Sequence, residues 1–177
     1  MKTFKVPTRE EVSPANQLIF DNLKKKLGRV PNSYAFMASS ENGLANYLTL
    51  SNAKSSLTMK EKEVINLIVS GINGCHYCTS AHTVIGKLSG FTDEQILEIR
   101  RGSISFDTKL DALAQFVKEV TDRKGKASQE AIDAFFAAGY TNESLVDTLM
   151  IISERTFSNY LNAIVDVPID FPVAPGI

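Results

Sequence analysis

Apolar side chains recur along this chain at three- and four-residue spacing, and glycine, proline or a capping residue interrupts them at intervals. No stretch of strict alternation marks a strand, so the pattern predicts an all-α protein. After an extended arm through Pro7, Ser13 is placed to cap a helix with Pro14 in its first position, where the missing N–H costs nothing. That helix is expected to run to about Leu27 and stop at Gly28, with Leu18, Ile19, Leu23 and Leu27 on its apolar side. Short helices follow over about 33–39, carrying Tyr34, Phe36 and Met37, and over about 42–54, presenting Leu44, Tyr47, Leu48 and Leu50. These side chains are read as core packing rather than pocket lining.

The middle of the chain is more explicit. Thr58 opens a helix with the capping box T-M-K-E, in which Glu61 reaches back to the N-cap amide. Residues 64–72 are apolar on nearly every side, as in a central, buried helix, and Asn73-Gly74 breaks it. The next helix starts at Cys75 or His76 and ends near Ser89, with Gly90 suited to the position just beyond. A second box, T-D-E-Q from Thr92, opens a helix that stops at Arg101-Gly102. Helices over 107–124, 128–138 and 141–165 complete the set, the last with Leu145, Leu149, Ile152, Phe157, Leu161 and Ile164 as its apolar positions. The tail from Val167 holds three prolines, cannot be helical and is expected to lie over the surface. The expected organisation is one all-α domain over 1–177, with a helical arm over 1–30 and a proline-rich tail over 166–177.

Bulk properties narrow the function. A chain of 177 residues buries roughly 70% of its unfolded surface and needs no metal or disulfide to fold. A net charge of −1 offers no electrostatic argument for nucleic acid or an anionic membrane as partner. The cluster Lys24, Lys25, Lys26 and Arg29 is read as a solvated helix terminus that complements the macrodipole. The N-terminus lacks a secretory apolar region, and residues 64–72 fall far short of the ~20 residues of a membrane span. A cytoplasmic protein is therefore expected, and there a C-x-x-C pair is more often redox-active or metal-binding than structural.

The chemistry gathers in residues 72–84, which hold both cysteines and both histidines of the chain. Cys75 stands at a helix start, where the dipole favours thiolate. Cys78 lies three residues on, close enough to close a disulfide within one turn, and His82 lies one turn beyond Cys78 on the same face. An imidazole so placed accepts a thiol proton, while His76, about 100° around the helix from Cys75, points elsewhere. The dipole alone nominates Cys75 as nucleophile; the spacing of His82 nominates Cys78. Glu61 and Glu63 are the carboxylates available to orient the histidine. Glu61 already serves its capping box, and Glu63 shares a stripe with Met59 and Leu67, which points to partial burial and a partner. A zinc site on Cys75, Cys78, His82 and His76 is the competing reading. Structural zinc usually draws on two separated pairs, whereas these residues share one helix.

Glu63, eleven intervening residues, then C-x-x-C-x-x-x-H through Cys75, Cys78 and His82 resembles the alkylhydroperoxidase D (AhpD)-like members of the carboxymuconolactone decarboxylase superfamily. The runs S-L-T-M-K-E-K-E-V-I-N-L-I-V-S and F-S-N-Y-L-N-A-I extend the likeness over 31–172. The resemblance implies an AhpD-like helical bundle and an antioxidant enzyme with no bound cofactor or metal. In similar proteins the second cysteine, here Cys78, attacks the peroxide, and the first, here Cys75, condenses with the resulting sulfenic acid. A relay from Glu63 through His82 deprotonates the attacking thiol. An external dithiol, in some members on a lipoyl-bearing protein, reduces the disulfide. The resemblance also implies a homo-oligomer, a trimer or hexamer, with the site near subunit contacts. Some members carry a histidine directly before the second cysteine; Tyr77 stands there in this chain, which implies a shorter relay. The alternatives are a disulfide reductase, a redox-sensing module without peroxide turnover, or the superfamily's lactone-acid decarboxylation, which does not depend on C-x-x-C.

Overall fold

The structure, a computed structural model, describes residues 4–177 and is all-α, with no strand among the described residues. The first three residues of the expected arm lie outside that range. After a 3-10 turn at Arg9–Glu11 come α1 (Pro14–Leu27), α2 (Asn32–Met37), α3 (Gly43–Ser51), α4 (Met59–Ile72) and α5 (His76–Leu88). They are followed by α6 (Asp93–Arg101), α7 (Thr108–Asp122), α8 (Gln129–Ala137) and α9 (Asn142–Val165). The expected caps operate: Ser13 accepts from the Asn16 amide, and Thr58 with Glu61 and Thr92 with Gln95 form closed capping boxes.

Helix α4 is the axis of the larger apolar cluster. Residues 63–70 are buried throughout, and α5, α6, α7 and α9 pack around them. Val64, Ile65, Leu67 and Ile68 meet Ile96 and Ile99 of α6 and Leu113 and Val117 of α7. Burying such side chains stabilises by roughly 1.5–3 kcal/mol each. A smaller cluster joins α1, α2 and α3 through Phe20, Leu23, Met37, Leu44 and Tyr47.

Two helices also bury residues other than those read from the sequence. On α1, Leu18 and Leu27 are exposed, and the buried residues are Asn16, Phe20 and Leu23. Asn16 is tolerated because its Nδ2 donates to the carbonyls of Ala38, Ser40 and Glu41 at 3.0–3.2 Å. On α9 Ile152 is buried and Leu145 and Leu161 pack against the apolar clusters as expected, but polar residues share the inward side. Leu149, Phe157 and Ile164 are exposed, whereas Glu154, Arg155, Ser158, Asn159 and Asn162 are buried. Spacing alone marked the apolar positions; tertiary partners for the polar ones decided which face turned inward.

Candidate active site

Gly74, at φ 65°, adopts the left-handed conformation that ends α4 and reverses the chain into α5. The turn is tied by the Cys75 amide donating to the Ser70 carbonyl at 3.0 Å. Cys75 becomes the N-cap of α5, its sulfur accepting from the Cys78 amide at 3.2 Å. Cys75 and Cys78 are joined in a disulfide with Cα atoms 5.3 Å apart. Both are shielded from water, at 3% and 2% exposure. His76 is exposed and outside this cluster.

Glu63, fully inside the molecule, meets His82 across the α4–α5 packing, with Oε2 2.6 Å from Nδ1. Its other oxygen accepts from Asn66 Nδ2 at 3.0 Å. Burial pushes this carboxyl up, but His82, Asn66 and Arg155 outweigh it and hold the group below the usual carboxylate range. With Nδ1–H donating to Glu63, the Nε2 lone pair of His82 remains available on the ring's other side. Glu61 stays in its capping box and pairs with Lys109 at 3.2 Å, away from His82.

The network continues onto α9 through residues that sequence reading missed. Arg155 Nε donates to Asn66 Oδ1 at 3.0 Å, its Nη1 to Ser158, and its Nη2 to both oxygens of Glu154 at 3.3 Å. Burial would push the Arg155 guanidinium down; Tyr47, Glu154 and Glu63 overcome that and keep it charged. Asn162 Nδ2 donates to Cys78 Sγ at 3.2 Å. The available signal was a polar stripe at three- and four-residue spacing, Arg155, Ser158, Asn159 and Asn162, which reads as a solvated face until a partner is known.

The tail lies over the surface, where it straps α5. Asp170 accepts from the Tyr77 hydroxyl at 2.7 Å and the Asn32 amide at 3.1 Å, and the Ala174 amide donates to Ser80 at 3.1 Å. Phe171 packs edge-on against Tyr77. Arg29, read as part of a solvated cluster, donates to the Asp170 carbonyl and sits over the Phe171 ring. Burial and Asp170 push the Tyr77 phenol up, so it stays protonated.

A cavity of about 630 Å³ opens onto Cys78, Glu63, His82 and Arg155. Tyr34, Tyr47, Met59, Ile85 and Phe171 line it, so two aromatics read only as core also face this space. Among the described residues no helix is long and apolar enough to cross a membrane.

Comparisons with known proteins bear on the fold and on part of the sequence. The sequence profile of the carboxymuconolactone decarboxylase family matches residues 40–119. A 38-residue segment is 47% identical to the alkyl hydroperoxide reductase AhpD of Mycobacteroides abscessus, and the match spans only 22% of either chain. The AhpD core of a peroxidase-related protein from Ralstonia eutropha JMP134 superposes with a TM-score of 0.85 at 18% identity, covering 94% of this chain and 91% of that one. A peroxidase-related protein from Silicibacter sp. TM1040 gives 0.81 at 21% identity, with 94% and 90% covered. The debrominase Bmp8, bound to 2,3,4-tribromopyrrole, gives 0.78 at 20% identity, with 96% and 93% covered. At these identities the likeness is one of fold, and the fold serves more than one chemistry. The family profile spans the buried Cys75–Cys78 pair, so this part of the chain is similar to the carboxymuconolactone decarboxylase family, and the whole carries an AhpD-like fold.

Proposed function

We propose that this protein is a thiol-dependent peroxidase that cycles Cys75 and Cys78 between dithiol and disulfide. The observation that carries the reading is the Glu63–His82 contact of 2.6 Å beside a buried cysteine pair whose Cys78 opens onto a cavity. His82 Nε2 takes the Cys78 proton, and Glu63 holds the ring and offsets its charge. The Cys78 sulfur then attacks the distal peroxide oxygen. The O–O bond breaks, the alcohol or water leaves with the proton from His82, and Cys78 becomes a sulfenic acid. The Cys75 thiol attacks that sulfur, releasing water and forming the disulfide. An external dithiol, on a lipoyl-bearing protein or a smaller carrier, returns the pair to thiols and is itself oxidised. The proposed setting is the cytoplasm, and the proposed assembly is a homo-oligomer, which the apolar outer face of α9 supports.

A second reading, a disulfide reductase or redox sensor without peroxide turnover, is favoured by one observation. Tyr77, directly before Cys78, is protonated and committed to Asp170, so no acid–base group stands there. One experiment separates the two. Reduced protein treated with one equivalent of peroxide is expected to lose two thiols and gain a Cys75–Cys78 bond, and Cys78→Ser to lose turnover entirely. Thiols that persist in peroxide but exchange with a disulfide substrate would establish the second reading instead.

A further inference from the structure

We infer that Asn162 is a further catalytic residue, whose side-chain amide donates to Cys78 Sγ and stabilises that sulfur as thiolate. The inference rests on the proposal that Cys78 is the attacking thiol. The contact, 3.2 Å, is made to the sulfur as half of the Cys75–Cys78 disulfide, and both residues are buried, Cys78 at 2% and Asn162 at 5% exposure. A sulfur so enclosed holds negative charge only where protein donors replace the lost solvent. His82 removes the proton but cannot remain the sole support for the charge it creates. A carboxamide neither gains nor loses a proton near neutrality, so its N–H serves the sulfur at every stage.

A second observation separates this role from packing. The Asn162 Oδ1 is buried and has no hydrogen-bond partner among the described residues. An orphaned carbonyl is destabilising, and an aliphatic side chain would fill the position without it. The main-chain carbonyl of Asn162 accepts from the Val167 amide at 3.3 Å, but that bond is independent of the side chain. What the carboxamide does that no aliphatic group can is donate to Cys78. The ionisable groups lining the cavity with this sulfur are Tyr77 and His82 on α5, Lys62 and Glu63 on α4, and Asp147, Glu154 and Arg155 on α9, with Tyr34 on α2, Tyr47 on α3, and Arg29 and Lys54 in the connections. Asp170 of the tail is engaged by Tyr77. None of these is within the structure's hydrogen-bonding contacts to the sulfur.

The test uses the 177-residue chain as Cys75→Ser, which leaves Cys78 as its one thiol, and follows thiolate absorbance against pH without peroxide. Asn162→Leu is expected to raise the titration midpoint by about one pH unit or more, the effect of losing a hydrogen bond to a charged group. Asn162→Asp, close in shape but carrying a repelling charge, is expected to raise it further, and Asn162→Gln to recover most of the shift. Single-turnover reaction with hydrogen peroxide at neutral pH should fall about ten-fold in Asn162→Leu and return to the parent rate at high pH, where the thiol is ionised without help. A midpoint that stays put in folded Asn162→Leu and Asn162→Asp proteins overturns the inference, even if peroxide turnover is intact. A midpoint that moves in protein that never reduces peroxide keeps the role of Asn162 and overturns the peroxidase proposal instead. Should Asn162→Leu fail to fold, the Asp and Gln variants carry the same comparison.

Discussion

Helices α4 and α9 both pack against the disulfide-bearing α5, yet they turn different chemistry inward. Along residues 63–70, α4 buries a mainly apolar surface and admits polar groups only at Glu63, Asn66 and Ser70. Helix α9 buries Glu154, Arg155, Ser158, Asn159 and Asn162 and leaves Phe157 and Ile164 at 50% and 71% exposure. The first helix is held by the hydrophobic effect, which needs no particular partner. The second is held by hydrogen bonds and charge pairing, each of which needs one. The site lies where the two meet: Asn66 of α4 bridges Glu63 to Arg155 of α9.

The largest expected effect tests that contrast through stability. Arg155→Leu leaves Glu154 and the Glu63 side of the network facing no cation, and is expected to cost about 3–5 kcal/mol in urea unfolding. Leu67→Ala on α4, a cavity of ordinary kind, is expected to cost about 2–5 kcal/mol. The two separate when Glu154→Gln is added: it should recover part of the loss in Arg155→Leu and none in Leu67→Ala. Equal response in both would dissolve the distinction between the helices.

The next effect is on activity and pH. Glu63→Gln should lower peroxide turnover by roughly 10²-fold, as expected for a general acid–base group, read from initial rates with a saturating dithiol. Its stability profile should change as well. The Glu63 carboxyl is held below its ordinary value, so its contribution is present above the unfolded carboxylate range of about 4.3 and fades as pH falls through the lower folded value. The parent protein should therefore lose stability in acid more steeply than Glu63→Gln. Parallel acid profiles would mean that the charge on Glu63 does not hold α4 to α5.

The smallest intramolecular effect is predicted on the outer face of α9. Phe157→Ser and Ile164→Ser should each change monomer stability by no more than about 0.5 kcal/mol, because neither side chain is buried within the chain. Sedimentation is the sharper measurement: if a second copy covers this face, as proposed, both variants should sediment as smaller species than the parent. Unchanged sedimentation would leave the apolar face of α9 open to water.

Several features were legible because they depend on near neighbours in sequence. The capping residues Ser13, Thr58 and Thr92, the Asn73-Gly74 break and the alignment of Cys75, Cys78 and His82 on α5 follow from local geometry. The choice of Glu63 over Glu61 was accessible for the same reason: one carboxylate had a local partner and the other lacked one. Arg155 and Asn162 were not legible, because the groups they serve lie 89 and 84 residues away along the chain. The contacts of the tail were not legible on the same grounds, since Asp170 reaches Tyr77 across 93 residues.

The amino-acid sequence by itself determined that this chain is helical, where most helices begin and stop, and that both cysteines and both histidines gather in residues 72–84. Periodicity, capping and turn chemistry act over one or two turns, and those distances are written directly in the order of residues. Only the tertiary structure decided which face of α9 points inward, that Tyr77 is bound by the tail, and that Asn162 is the donor at Cys78. A buried polar side chain is stable only beside the partner that satisfies it, and that partner is brought near by the packing of helices remote in sequence.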